Sequence, residues 1–516
     1  MSPGPPSRAA KITRRHFLAL FGLAAGAGLT GAIVDRLIGP VAPVAAEGST
    51  AGPATAAASP SATKPAVAAS PAPRRRYRTR PDLGPPLLEV DTREPALSPG
   101  LLFLTPANGA DGAGPTILDD DGELVWMRSE SGRNATDLHP AIFQGRPVLT
   151  WWEGANNAGI GSGEHVIVDS TYRELARIRG AGDRKTDLHE LQITPQDTAL
   201  FLADADRAPA PVPGDVGPRP RVMDCAIVEV DIATGLVLFE WHAADHIATD
   251  ESVATPPPTT DEIYDYIHAN SIGLDNDNGL ILSARNTSAV YKIDRASGRI
   301  VWRLGGVRSD FAMGPGATFA LQHDARRQPD GTLTIFDDGQ APGYSRAIVL
   351  RLDETAMTAT LVREYPQPQR LLATSQGNMQ VLPDGHVFVG WGSLPRLSEF
   401  DPDGTLLFDA AFSAPQSYRD YRYPWVGRPT ELPAIAVDGR VGAHTVYGSW
   451  NGATEVATWE VLAGRTPASL AQVAAAPRTG FETAIEVSAI GPYAAVRARD
   501  ASGAILGSSV AVVMPT

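Results

Sequence analysis

The chain carries one cysteine, Cys225, in 516 residues. No intramolecular disulfide can form, so an oxidising compartment would leave no covalent mark on it, and thiolate-rich zinc sites are excluded. Positive charge is scarce as well: 44 Lys and Arg stand against 58 Asp and Glu, for a formal net charge of -14. A surface of that sign repels nucleic acid phosphates, and the one basic run (Arg74, Arg75, Arg76, Arg78, Arg80) follows a linker, so nucleic-acid binding is set aside. There is no Walker A loop, and no helical pattern follows Gly159-Ile160-Gly161-Ser162-Gly163 to make it a dinucleotide fingerprint. Long apolar runs are missing apart from a weak Ala/Gly-rich stretch near the N-terminus. The remainder, 43% hydrophobic and 20% charged, is the composition of a globular body able to bury a large core.

Thr13-Arg14-Arg15-His16-Phe17-Leu18, followed by the apolar stretch to Val34, resembles a twin-arginine export signal. Export through that machinery would place the protein outside the cell or in its envelope. Small residues at Val44-Ala45-Ala46 offer a cleavage point; uncut, residues 17–34 are of borderline length for a membrane tether. Residues 1–46 are assigned to this signal or anchor. Residues 47–80, dominated by Ala, Pro, Ser and Thr, cannot bury enough apolar surface to offset chain entropy and read as a disordered linker.

Beyond the linker an internal repeat organises the chain. An apolar residue and Asp, a short turn often carrying Gly and a β-rich run recur as LDDDGELVWM, VDSTYRELARI, VDIATGLVLFEW, IDRASGRIVWRLGG, LDETAMTATLVREY and FDPDGTLLFDA, with the turn Asp at 119, 169, 231, 294, 353 and 401. Second hairpins lie between them, among them LHELQITPQDTALFLA and SQGNMQVLPDGHVFVGWG, so one repeat holds about four strands. Repeats of this size predict an all-β fold, a six-bladed β-propeller over 81–450. Leu101–Leu104 lacks a partner in its own repeat and is expected to pair near Ala434–Trp450 and close the ring. Residues 451–516 form short alternating strands that suit a small β-sandwich of immunoglobulin or fibronectin type; the alternative is that they cap the last blades.

His139, His189, His268 and His323 share one place in their repeats, with Gln376 at the equivalent point of the fifth. First strands of propeller blades line the central channel, so these imidazoles are expected to converge. His139, followed by Pro140 in an irregular repeat, is the weakest member. Arg285 ends the strand after His268, and Arg326 lies three residues after His323; a guanidinium fork beside imidazoles points to an anion such as sulfate, phosphate or carboxylate. Asn270, Gln322, Gln376 and Asn378 flank the same positions and, with Arg326, are expected to bind substrate. Three His ligands would also suit a metal, but adjacent arginine opposes a divalent cation, and no metal or cofactor is assigned. Asp275, Asp277 and Gly279 look like a calcium loop without its distal Glu, so a hairpin turn is expected.

At these motifs the chain resembles the arylsulfotransferase family, in its actinobacterial and fungal branch; the carrying segments include PVLTWWEG, DLHELQITP, HANSI, LSARNTS, DFAMGPGATFALQHDAR and SWNGATEVATWEVLAG. The resemblance implies a nucleotide-independent transferase that moves sulfate from an aryl sulfate donor to a phenolic acceptor through a sulfohistidine. It implies His323 as the nucleophile, with His189, His268 and Arg285 binding sulfate or moving protons. Two other readings stay open: a non-catalytic propeller that binds an anionic ligand or envelope glycan, and a His-ligated metal-dependent hydrolase.

Overall fold

The computed structural model describes residues 74–515 apart from 108–113, 130–131, 158, 181–183, 209–219, 340–341, 441 and 489–490. The twin-arginine segment and most of the linker lie outside the described residues. Those that are described belong to the compact unit Pro53–Thr516. The fold is all-β, broken among the described residues only by three single-turn 3-10 helices at Ala243–Asp245, Thr249–Glu251 and Arg285–Thr287.

The repeat builds antiparallel four-stranded meanders. In chain order these run from Asn134–Phe143 to Glu174–Ile178, from Lys185–Ile193 to Val237–His242, from Ala269–Leu274 to Ile300–Gly305, from His323–Arg327 to Thr358–Pro366, and from Asn378–Val381 to Leu406–Phe412. Leu88–Arg93 adds a fifth strand to the last of these. The first two meanders are joined through a single register pair, Thr186 with Gly163. The recurring Asp has a local job: Oδ1 of Asp119, Asp169, Asp231, Asp294, Asp353 and Asp401 each accepts a backbone N–H two or three residues on. The side chain thereby reinforces a hairpin turn that main-chain hydrogen bonds also close, as from Gly122 to the Asp119 carbonyl and from Gly404 to the Asp401 carbonyl.

A sixth meander is composite. Leu101–Leu104, Thr116–Leu118 and Leu124–Met127 supply three strands, and the fourth is Tyr421–Tyr423, paired to Leu101–Phe103. This corrects the expected closure. Ala434–Arg440 and Ala443–Ser449 pair with each other and then with Glu482–Val487 instead. In the segment Arg419-Asp420-Tyr421-Arg422 both guanidinium groups are buried on partners from elsewhere in the chain, Arg419 on Asp137 and Glu190, Arg422 on Glu399 and Asp120.

Strand alternation assigns the core. On Thr198–Arg207, Leu200 and Leu202 pack toward the next meander, while Phe201 and Ala203 pack toward the preceding one. Each of six apolar clusters draws its members from two consecutive meanders, and the last, with Phe103 and Trp151, joins the composite meander to the first. Cutting a fully buried ring such as Phe201 back to Ala would cost about 3–5 kcal/mol. The inner strands touch in the same cyclic order; Asn378 and Gln380 make the last junction by exchanging hydrogen bonds with the main chain of Asp420 and Arg422. After Ala434, a three-stranded sheet and a sheet built on Thr458–Gly464 and Tyr493–Arg499 share one cluster around Trp459, Val461, Ile485 and Val496.

Candidate functional site

The inner strands do not run straight. Register shifts fall between Thr136 and His139, Thr186 and Leu191, Ala269 and Ser271, and His323 and Arg326, the same place in four inner strands. Asp137 and Asp324 carry positive φ of 60 and 54° within these shifts, and His268 and Gln376, at 46 and 70°, stand just before their strands. Such bulges bend the strand and re-aim side chains, which is how the histidines leave the packed sheet faces and turn inward.

His189 and His268 meet edge to face with ring centroids 5.1 Å apart, and Tyr418 packs on His189 at 5.3 Å. Each imidazole is oriented by a carboxylate just upstream. His189 Nδ1 lies 2.5 Å from Asp187 Oδ2, and His268 Nδ1 lies 2.5 Å from Asp265 Oδ2. The same carboxylates accept the main-chain N–H of their histidines. Burial pushes Asp187 and Asp265 up, but the charge and hydrogen bond of the paired imidazole outweigh it and leave both carboxyls below their ordinary value. With Nδ1 fixed, Nε2 is the nitrogen each ring offers to a ligand.

His323 is built differently. Its Nδ1 is 2.8 Å from Asp338 Oδ2, just past the end of the neighbouring strand Leu333–Asp337, and its Nε2 accepts the main-chain N–H of Gln376 at 3.2 Å. An accepting Nε2 places the ring proton on Nδ1, so the imidazole is neutral. Burial, followed by the charges of Arg285, His189 and His268, holds its pKa well below the usual value; burial also holds Asp338 well above the carboxylate range. The pair is therefore neutral on both sides.

Arg285, on its 3-10 turn, donates to Asn286 Oδ1 at 3.0 Å and to the carbonyl of Thr374 at 3.1 Å. Its Nε is buried with no partner. Among the described residues it forms no ion pair, so its charge is held by neutral oxygens alone and stays available to an anion. A hairpin between Arg146–Asn157 and Ile160–Asp169 overhangs this corner: a Cβ on Gly159 would stand 2.9 Å from His268 Cε1. Among the described residues no group of three His, Cys, Asp or Glu side chains is arranged to hold a metal ion.

Other expected substrate contacts are committed to the fold. Arg326 is not brought to the histidine cluster; its guanidinium binds Asp324, Glu190 and the Ile272 carbonyl. Gln322 Nε2 donates to Ser283 Oγ and the carbonyls of Ala284 and Ala289, stitching two strands. Asn378 holds Asp420 at both ends of its amide, and Asn270 donates to the Gln322 carbonyl. These placements correct the expectation. Each of these side chains is held by partners at the junctions between meanders and not by the histidine cluster; Gln322, next to His323 on the chain, faces the opposite way from that imidazole. Gln376 remains at the cluster through its main chain. His139 stands apart, its Nδ1 on the Asp137 carbonyl, and lines a cavity of about 770 Å³ with Glu190, Arg326, Tyr421 and Tyr423. Asp275 and Asp277 form the expected turn, and Lys292 Nζ fills it at 2.9 and 2.7 Å.

Residues 139–413 match the sequence model of the arylsulfotransferase (ASST) family, and that span is more than half of the chain. The chain belongs to the arylsulfotransferase family. No curated protein matches it. Among solved structures, a Bacteroides caccae protein of unknown function is similar at 14% identity and TM-score 0.40, covering 63% of this chain and 99% of its own. A virginiamycin B lyase from Staphylococcus aureus is similar at 11% identity and TM-score 0.34, covering 71% and 96%. Kuenenia stuttgartiensis hydrazine synthase is similar at 14% identity and TM-score 0.33, covering 59% and 74%.

Within this family member, sequence reasoning missed the supporting carboxylates. Asp137, Asp187 and Asp265 stand two or three residues before their histidines, a spacing that was readable. Arg419 was missed as well. Fully buried, it binds Asp137, Glu190 and the Asn270 carbonyl, and it lies in a segment with no histidine to draw attention to it.

Proposed function

We propose that this arylsulfotransferase-family protein moves a sulfuryl group from an aryl sulfate to a phenol through His323. Nε2 of His323 attacks sulfur as the bond from sulfur to the aryl oxygen breaks; the phenolate leaves with the electron pair and takes a proton from the His189 and His268 pair. In the second half-reaction an acceptor phenol attacks the sulfohistidine sulfur, returns its proton to that pair and regenerates the free imidazole. Arg285 neutralises charge growing on the sulfuryl oxygens. Attack requires the Gln376 N–H to leave Nε2, which places that donor beside the incoming oxygens. The observation that carries the reading is the combination of three carboxyl-oriented imidazoles with an arginine that has no counter-ion.

In the same reading the six meanders are the blades of a propeller, the sheets after Ala434 form an immunoglobulin- or fibronectin-like sandwich, and the chain lies in the actinobacterial and fungal branch. The twin-arginine segment supports export to the envelope or beyond, with residues 17–34 either removed or kept as a tether. The test is release of coloured phenol from a chromogenic aryl sulfate, which should be faster with a phenolic acceptor than without, follow ping-pong kinetics and disappear in His323→Asn. A native protein that transfers nothing across a broad donor panel yet binds aryl sulfates would replace the transferase with an anion-binding module.

A further inference from the structure

The geometry assigns Asn286 as a positioning residue for the anion site: its side-chain amide ties the Arg285 guanidinium to the loop that orients His268, and because that amide is neutral it holds the cation without cancelling its charge. The kinetic consequence rests on the transfer reading; the consequence for anion binding does not.

Main-chain pairing sets the placement. Ala284 ends its strand opposite Ala269. Beyond it the Arg285 N–H donates to the His268 carbonyl and the Asn286 N–H to the Ile267 carbonyl, each at 3.0 Å. The chain then makes the 3-10 turn Arg285–Thr287, in which Thr287 Oγ1 donates to the Ala284 carbonyl at 3.2 Å. Ser288, at φ 49°, donates its N–H to the Arg285 carbonyl at 3.0 Å. From the other side the Asn286 carbonyl accepts the Val253 N–H at 2.7 Å and Ser252 Oγ at 3.0 Å. Both main-chain polar groups of Asn286 are thus engaged, and its side chain departs from a fixed point.

From that point the half-buried amide reaches in two directions. Oδ1 accepts Arg285 Nη1 at 3.0 Å, and Nδ2 donates to the Asp265 carbonyl at 2.7 Å. Only this orientation satisfies both neighbours; flipped, an amino group would face the guanidinium and an oxygen would face a carbonyl. Asp265 is the residue whose carboxylate fixes His268, through the ring Nδ1 at 2.5 Å and the main-chain N–H at 3.0 Å. One amide therefore fixes the cation relative to an imidazole of the site. The other support of the guanidinium, the Thr374 carbonyl at 3.1 Å, is neutral as well. A carboxylate at position 286 would instead give Arg285 a counter-ion, as Asp324 and Glu190 do for Arg326, and would compete with any anion for the same N–H groups.

The test measures binding of para-nitrobenzenesulfonate to the full chain by calorimetry, beside kcat/KM for a chromogenic aryl sulfate. The sulfonate is an aryl anion whose sulfur is bonded to carbon and is not transferred. Asn286→Asp, nearly isosteric, should weaken sulfonate binding about 10- to 100-fold and lower kcat/KM at least as much. Asn286→Ala removes the clasp without adding charge and should weaken binding about three- to tenfold. In an Arg285→Met background Asn286→Ala should have no further effect, because a residue that acts through Arg285 has nothing left to position. A residue that only stabilises the turn would lower the melting temperature with native affinity, or weaken binding by the same factor with and without Arg285. Either result overturns the inference, as does native-like binding by Asn286→Asp or a native protein that does not bind the sulfonate. Native sulfonate binding without any transfer would leave Asn286 to be judged on affinity and sink the transfer reading instead. If Asn286→Ala does not fold, Asn286→Asp in the two backgrounds decides by the same criterion.

Discussion

The two ends of the inner strands hold similar residues in opposite states. At the histidine end, Arg285 has no carboxylate within ion-pair distance among the described residues and is held by Asn286 Oδ1 and the Thr374 carbonyl. Toward the strands' C-terminal ends, Arg419 and Arg326 share Asp137, Glu190 and Asp324 in a closed network. Both regions hold arginine in the interior, but only in the first is the guanidinium without a carboxylate among the described residues. A guanidinium saturated by carboxylates organises the fold; one held by neutral oxygens can take up an anion.

The sharpest way to break that contrast is to remove each charge in turn. Arg285→Met should reduce kcat/KM for an aryl sulfate by a factor of about 10² to 10³ with little change in melting temperature, read by steady-state kinetics and thermal denaturation. Arg419→Met should do the reverse. It strands Asp137 and Glu190 in the interior and should destabilise the fold by about 3–5 kcal/mol in denaturant titrations. Equal kinetic losses in the two variants would erase the distinction.

A smaller effect sharpens it. Asp420, beside Arg419 and fully buried, has both side-chain oxygens unpartnered, and burial raises its pKa to about 7. The folded state therefore holds a proton that the unfolded chain gives up near pH 4. Stability from this group is complete below about pH 4 and is lost as pH rises through about 7. Asp420→Asn should be the more stable protein at pH 8, by about 2–4 kcal/mol, and the advantage should vanish at pH 4. Parallel stability profiles for the two proteins would show that Asp420 finds a partner.

The legible part of this molecule was its periodicity. The turn Asp at 119, 169, 231, 294, 353 and 401 announced the meanders because one side chain does one local task each time. The recurrence of His189, His268 and His323 was visible for the same reason. What could not be read was direction. Arg326 is three residues from His323 in sequence, yet it turns to Glu190, 136 positions away, and the intervening strand carries a register shift that a sequence does not show. Ring closure was misplaced because burial of Arg419 and Arg422 depends on carboxylates far off in the chain, and hydrophilic composition reads as surface until those partners are known.

That closure carries a consequence for biogenesis. Three strands of the composite meander end at Met127, and their fourth begins at Tyr421. Until nearly 300 intervening residues have been made, the early strands stand with an unpaired backbone edge, so this meander cannot reach its native state piecemeal during synthesis. A chain with such distant partners is expected to fold slowly, to offer that edge to other nascent copies and to depend on a holding chaperone, and moving the termini into the loop before Tyr421 should speed refolding by making the partners neighbours.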